Sequence, residues 1–522
     1  MQWIDNLDDE VMVRRQQDFR GGVDEFMDAS SLGDLQLQRL ENMLVEDNGR
    51  ARLRPGADAL GGSALTAARI DVLTYFDTPS LEYLFAAVSS SLRKWDGATW
   101  TNIAAYPGGL GSIVEMAQGN NLLYVSDGST QWYSYTGAAW SAALGNATGA
   151  TGDPPLGTSM MCWHTQRMFA AGAIATFNDA VYASFLAGAS TGQWNHNDFS
   201  FRVGRGEGQA ITALCSAKGW WLAVGKERSI YMVNTDPTAA TAANWPIRRL
   251  TDAVGIVGKR AMISFGDFLV VFSRDGLRKI TSVPSEEGSI PWEVSAPFSQ
   301  PMQTYIDRIN WSVASKIVLH KYRHYLFCAI PLDSATEPDY VLVWNSRLGA
   351  WIGVWLGMTP TAMCTSGFAS LGERFIIGDS TGKVNMWKDY ASSELEATFQ
   401  ENSSELPTEL RAKAWNFDAP VNWKDGSFAE VIFVNSSGNV DVVIYLDGVE
   451  QRRQTESLLR VTNQLPVDLP FDLAVANPEP VTVALDELPE FRECFVAVET
   501  TSHYVEVKAI SIAAFMNTMK NE

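Results

Sequence analysis

Gly266–Ile280, GDFLVVFSRDGLRKI, holds a five-residue apolar run, a polar break and a second run that opens on a glycine. That is the pattern of two short strands joined by a polar turn. The same template returns at Gly119 (GNNLLYVSDGSTQWYSY), Gly219 (GWWLAVGKERSIYMV) and Gly372 (GERFIIGDSTGKVNMW). Weaker copies lie at Leu81–Trp95, Arg167–Tyr182 and Tyr322–Trp344. Their starts are about 40 to 56 residues apart, close to the roughly 40 to 50 residues of one four-stranded propeller blade. A second repeat runs beside the first. Trp95–Trp100 (WDGATW) and Tyr135–Trp140 (YTGAAW) share aromatic-x-Gly-x-x-Trp, and Trp344–Trp351 (WNSRLGAW) is the same hairpin with a longer turn. Aromatics around a glycine turn suit an outer blade hairpin, where flat rings fill the space between diverging sheets. The count predicts an all-β fold with a propeller of about seven blades; six or eight stay open because the Arg167 and Tyr322 copies are degenerate.

Outside the repeat the texture changes. Residues 1–61 carry a net charge of −6, residues 62–394 of −2 and residues 395–522 of −12. The break predicts an N-terminal segment (1–61), a propeller (62–394) and a C-terminal domain (395–522). In the last, Leu410–Phe417, Phe428–Val434, Val440–Leu446, Val481–Leu485, Cys494–Val498 and Tyr504–Phe515 read as strands, with Asp447-Gly448 as a hairpin turn. Short strands at this density predict a β-sandwich-like domain. In the N-terminal segment, Gly21-Gly22 precedes Leu37, Leu40 and Leu44, spaced for one face of a short helix. A hairpin over Asn42–Arg54 follows, turning at Asp47-Asn48-Gly49 and stopped by Pro55-Gly56. A propeller must close its ring or leave sheet edges bare, so this hairpin is expected to pair with the last blade near Phe375–Trp387.

Hydrophobic content of 46% excludes a wholly disordered chain. No apolar run reaches the roughly 20 residues of a membrane span, and the acidic start MQWIDNLDDE gives no expectation of a signal peptide. Cys162, Cys215, Cys328, Cys364 and Cys494 have no CxxC spacing and read as buried thiols of a reducing compartment. A chain at −20 is a poor binder of phosphate by charge neutralisation.

The chemical motifs are thin. Gly188–Gly192 (GASTG) has the letters of a nucleophile elbow without its strand and helix, and reads as an inter-blade loop. Gly204–Gly208 (GRGEG) lacks the Lys-Ser/Thr of a phosphate loop and reads as a flexible turn. His320 and His324 converge on a metal only on a helix, and here they flank a strand turn; His164, His196 and His503 have no ligand partner at useful spacing. Ser126–Trp132 (SDGSTQW) is a distorted echo of the Asp-box of propeller glycosidases, a turn that stabilises blades. No residue is nominated as catalytic, cofactor-binding or metal-binding, no cofactor is expected, and the chain is read as a non-enzyme. Ser282–Pro301 and Asn234–Pro246, outside the repeat, are candidate channel-plugging loops.

The order Gly-Gly, Leu40-Glu41-Asn42, Asn48-Gly49 and Arg54-Pro55-Gly56, followed by propeller repeats and a β-rich end, resembles the β-propeller proteins of short phage tails. These are the tail nozzle (tail tubular protein B) and the tail hub or packaged-DNA stabilisation proteins. The resemblance implies a structural virion protein of the tail, made in the bacterial cytoplasm and assembled as a ring of six copies. It implies as partners a tail adaptor protein, fibres or spikes, the host surface, and genomic double-stranded DNA passing non-specifically through a channel; the net charges of −6 and −12 make the N- and C-terminal segments the expected acidic lining of that channel. The rival expectation is a monomeric propeller that binds carbohydrate on a host surface, its Trp and Tyr rings stacking on sugar.

Overall fold

The computed structural model describes residues 11–103, 114–126, 128, 132–140, 152, 154–172, 177–186, 194–283, 292–388, 406–434, 436–458, 478–500 and 504–516. Seven small antiparallel sheets follow one another along the chain. Their first strands are Ile70–Thr78, Glu115–Gly119, Thr158–His164, Ile211–Ser216, Met262–Ser264, Val318–Tyr322 and Pro360–Ser366. Each first strand packs beside the next, and the seventh returns to the first, so the sheets are the blades of a closed seven-bladed propeller. All seven hairpins of the sequence template form the second and third strands of a blade. The degenerate copies are true blades too: Arg167–Gly172 and Tyr325–Ile330 pair with Ala180–Ala183 and Tyr340–Asn345 across longer loops.

The second repeat turns from third to fourth strand. Trp95 and Trp100 lie 5.5 Å apart between ring centroids in blade 1, Tyr135 and Trp140 lie 4.8 Å apart in blade 2, and Trp344 stands opposite Trp351 in blade 6. Gly97 and Gly137 turn these hairpins at φ 98° and 96°, a region open to glycine at no steric cost.

Strands beyond blade 7, joined by strands that precede blade 1, form two packed sheets, a β-sandwich. One takes the order Pro478–Ala484, Lys424–Val434, Glu506–Met516, Ala51–Leu53, Met43–Val45, with Met12–Gln16 also on Glu506–Met516. The other runs Arg39–Glu41, Thr408–Arg411, Cys494–Thr500, Gly438–Leu446, Val449–Leu458. Val431, Phe433, Val442, Ile444, Val496 and Ile512 are fully buried in its core. The Asp447-Gly448 turn has φ of 48° and 80°, as a two-residue hairpin requires. The strand after it, VEQRRQTESL, was hidden from hydrophobic patterning because its exposed edge is charged.

Two expectations for the N-terminal segment are corrected. Leu37, Leu40 and Leu44 are buried on strands, not on a helix; Gln36–Leu37, Arg39–Glu41 and Met43–Val45 are extended, and the described helical content before the hairpin is the single turn Ala29–Ser31. A three- or four-residue apolar spacing fits two short strands broken by a bend as well as it fits a helix, and Asn42 at φ 50° supplies the bend. The hairpin Met43–Val45/Ala51–Leu53 joins the sandwich, not the last blade. Ring closure falls to Ala57–Ala59, just past Pro55-Gly56, which pairs with Val384–Trp387 as the fourth strand of blade 7.

Asn234–Pro246 and Ser282–Pro301 each contain an outer element of a blade. The first is the outer connection of blade 4, with Trp245 packed among Phe169, Phe199 and Phe201; the second carries Trp292–Val294, the fourth strand of blade 5. Each leads into the outermost strand of its blade, Ile247–Thr251 and Trp292–Val294; residues 284–291 lie outside the described ones.

Candidate functional site

The N-terminal segment ties the two halves of the molecule together. Arg39–Glu41 lies parallel to the fourth strand of blade 6, Ala350–Trp355, and antiparallel to Thr408–Arg411, so blade 6 and one sandwich sheet form one nine-stranded sheet. At the joint sit Asn42 and Arg54, both with no solvent exposure. The Asn42 side-chain oxygen accepts from Arg54 Nε at 3.0 Å and from the Leu356 backbone at 2.9 Å, while its amide donates to Pro407 O at 2.8 Å. Arg54 also donates to Pro55 O at 3.3 Å and Leu356 O at 3.4 Å, and its guanidinium lies 5.0 Å from the Trp355 ring centroid. Buried polar groups satisfied in this way hold one geometry, because any slip leaves a donor or acceptor unpaired in a dry interior. Next along, Pro55 O accepts from Trp387 Nε1 at 2.9 Å, so the joint and the ring closure are adjacent. Gly21 and Gly22 permit close backbone approach: a Cβ on Gly22 would stand 2.2 Å from Trp351 O, with φ at 73°.

Beside the joint opens a cleft of about 550 Å³ lined by Glu41, Glu409, Arg411, Asp441, Arg453 and Glu499, with Thr408 and Asn439. Arg453 bridges Asp441 at 3.1 Å, Glu499 at 2.6 Å and Glu450 at 3.0 Å; Arg411 pairs with Glu409. Arg39 stands 3.8 Å from Glu41, 3.6 Å from Glu409 and 3.5 Å from Glu25. Burial, with the Glu409 carboxylate adding to it, raises the Glu41 pKa, and burial raises that of Glu25. The cleft therefore offers carboxylates whose charge is costly to keep unshared, a face suited to charge-assisted hydrogen bonds from a partner.

A second polar cluster blocks the propeller axis at the mouth where the first strands begin. Lys259, leading into blade 5, reaches Glu115 of blade 2 at 2.6 Å and donates to Val114 O at 3.0 Å. Arg260 donates to Thr361 O of blade 7 at 2.9 Å, and Arg69 pairs with Glu337 of blade 6 at 3.1 Å. A side chain from blade 5 touches blade 2 only by crossing the central opening. Burial lowers the pKa of both Lys259 and Arg260, and the Glu115 carboxylate opposes that shift. Sequence reasoning missed this crossbar. Its one signal was a Lys-Arg pair set between Gly258 and the apolar Ala261-Met262-Ile263.

The motifs weighed in the sequence fall apart in space. Gly204 O and Glu207 hold Lys226, fully buried, at 3.1 and 3.3 Å, so the GRGEG turn caps a lysine. His320 bonds Thr365 at 2.9 Å on the first strand of blade 6, and burial brings its pKa down to about 4; His324 lies at the turn after it. His164 bonds Ser216 at 2.8 Å, and His196 packs on Tyr182. Among the described residues no three His, Cys, Asp or Glu side chains group as metal ligands. The five cysteines are free thiols; burial pushes Cys162 and Cys364 up to about 12. Ser126 donates to Thr158 O at 2.8 Å and Trp132 to Pro155 O at 3.0 Å, tying blade 2 to blade 3. Gly188–Gly192 and His503 lie outside the described residues.

No family model matches the chain, and no curated protein does. Among solved structures, a computationally designed protein, Ika8, is 13% identical with a TM-score of 0.37, covering 64% of this chain and 99% of its own. YCF48 bound to D1 peptide is 12% identical with a TM-score of 0.38, covering 64% and 96%. BBS1N in complex with ARL6DN is 13% identical with a TM-score of 0.40, covering 64% and 97%. These likenesses lie far below the level at which function passes from one chain to another.

Proposed function

We propose that this chain is a structural protein of a short phage tail, a nozzle or hub subunit that assembles as a ring of six copies and docks to an adaptor protein and to fibres or spikes. One observation carries the reading. The residues behind the family resemblance, Leu40, Asn42 and Arg54, are fully buried where propeller, sandwich and ring closure meet. A subunit that must transmit load between two domains gains from such a joint, since a satisfied buried network resists sliding better than an apolar contact does.

The DNA path in this proposal runs between copies. The Lys259–Glu115 crossbar spans the propeller's own axis, so a passage for a duplex has to be formed by the ring. At −20 per chain, an acid-lined ring repels the phosphate backbone and keeps sliding barriers low. The carboxylate cleft at the joint is the proposed seat of a basic docking segment of the adaptor.

Mass measurement of the purified chain, alone and mixed with a portal–adaptor assembly, tests this. The expected result is a monomer that forms a ring on the adaptor. A chain that ignores the adaptor overturns the assignment, and a ring whose channel-facing residues are mainly Lys and Arg ends the repulsion account. The rival reading, a monomeric host-surface binder, has one observation in its favour, the exposed Trp311 at the mouth that holds the crossbar.

A further inference from the structure

A pocket of about 260 Å³ opens between blades 4, 5 and 6 at the same mouth. Its floor is Ile256, Val257 and Ala314, its rim carries Glu227, Arg274 and Ser315, and Trp311 forms one wall. The size lies below the roughly 300 to 1,000 Å³ of drug-sized sites, which points to one small ring.

The walls are held in place before any ligand arrives. Asn310 donates its backbone N–H to Pro331 O and its side-chain amide to Ala335 O, both at 3.0 Å, and its side-chain oxygen accepts from Ser312 Oγ at 2.6 Å. Trp311 is thus presented from a fixed turn, yet 37% of its surface is exposed. The floor is fixed by close approach at two glycines. A Cβ on Gly255 would stand 1.9 Å from Glu227 O, and one on Gly258 would stand 2.6 Å from Ser315 O. Ile256 N donates to Lys226 O at 2.8 Å, and the crossbar residues Lys259 and Arg260 follow directly. A site built on fixed elements loses little freedom on binding.

The polar groups match one ligand chemistry. Glu227 and Arg274 pair at 3.1 Å with both side chains more than half exposed, a geometry that adds little to folding and leaves an acceptor and a fork of donors facing water. One carboxylate and one guanidinium cancel in charge, which disfavours phosphate, uronate or sialate. The Thr212 hydroxyl, lining the pocket, has no hydrogen-bond partner among the described residues. A flat indole beside adjacent donors and acceptors is complementary to a pyranose, which has an apolar C–H face and hydroxyls around its edge.

We propose that this pocket binds a single neutral pyranose unit, as a free sugar ring or the terminal residue of a glycan, with its C–H face on Trp311 and vicinal hydroxyls on Glu227 and Arg274. The site is complete in one chain and does not rest on ring assembly.

Saturation-transfer NMR on the full-length chain tests it, using methyl glycosides of glucose, galactose, mannose and N-acetylglucosamine at millimolar concentration, with adenosine as an aromatic probe. At least one glycoside is expected to bind through its C–H face. Trp311→Ala should weaken it about tenfold or more, Trp311→Phe less, and Glu227→Gln measurably, while Trp220→Ala, which removes an exposed indole elsewhere, should leave it unchanged. Absence of binding by all four glycosides, unchanged binding in Trp311→Ala, or binding of adenosine alone would each overturn the proposal. Adaptor recruitment is read separately by mass, so failure here and failure of the tail assignment are distinguishable.

Discussion

Blades 1 to 5 and blades 6 to 7 follow one plan but draw on the chain differently. Each of the first five is made from consecutive strands, so blade 1 occupies Ile70 to Asn102 and blade 5 Met262 to Val294. Blade 7 takes its fourth strand from Ala57–Ala59, beside a contact between residues 332 apart in sequence, and blade 6 is extended by Arg39–Glu41 into the sandwich. Cooperativity is therefore concentrated in the last two blades. A local blade rests on its own hairpins and neighbours, whereas the last two depend on a segment that is also part of another domain. Damage to the N-terminal segment should therefore spread further than damage of the same size in blade 1.

The largest effect is expected from a chain that starts at residue 62. It lacks the closing strand, the joint and two strands of the sandwich hairpin, and it should give no cooperative thermal transition and should aggregate in size-exclusion chromatography. Arg54→Met comes next. It leaves Asn42 Oδ1 and the Leu356 carbonyl short of donors in a dry site, for an expected loss of about 3 kcal/mol in urea unfolding. Gly22→Ala forces a Cβ into the Trp351 carbonyl at a positive φ, with an expected loss of about 2 kcal/mol. In blade 1, Trp100→Phe keeps a ring but loses the Nε1 donation to Leu60 O, made at 2.9 Å, and should cost about 1 kcal/mol. If it matched Arg54→Met, the distinction between local and braided blades would be lost.

Acid provides the mildest probe. Burial lowers the His320 pKa from 6.5 to about 4, so between these values the unfolded chain binds more protons than the folded one. The contribution is fully present above the unfolded value and is lost as pH falls toward 4. Between about pH 7 and pH 6 the loss should be under about 1 kcal/mol, and His320→Gln should flatten that part of the stability profile.

What the sequence determined by itself was the blade. Hairpins at Gly119, Gly219, Gly266 and Gly372, and the aromatic-glycine turns at Trp95 and Tyr135, were legible because strand alternation and turn chemistry act over fewer than twenty residues. The tertiary structure decided what lies between blades. Leu37, Leu40 and Leu44 serve a helix face or three short strands equally well until their separate partners, Gly22–Val23, Thr408–Arg411 and Ala51–Leu53, are in place. Lys259 and Glu115 look like any two surface charges in a list of letters, and they become a crossbar only when a closed ring lets the Lys259 ammonium reach the Glu115 carboxylate at 2.6 Å. Trp311 likewise reads as one more core tryptophan until three blades leave it half open over a pocket. Local propensity is written into neighbouring residues, whereas burial, charge pairing and cavities depend on which distant segments meet, and that is decided by the fold as a whole.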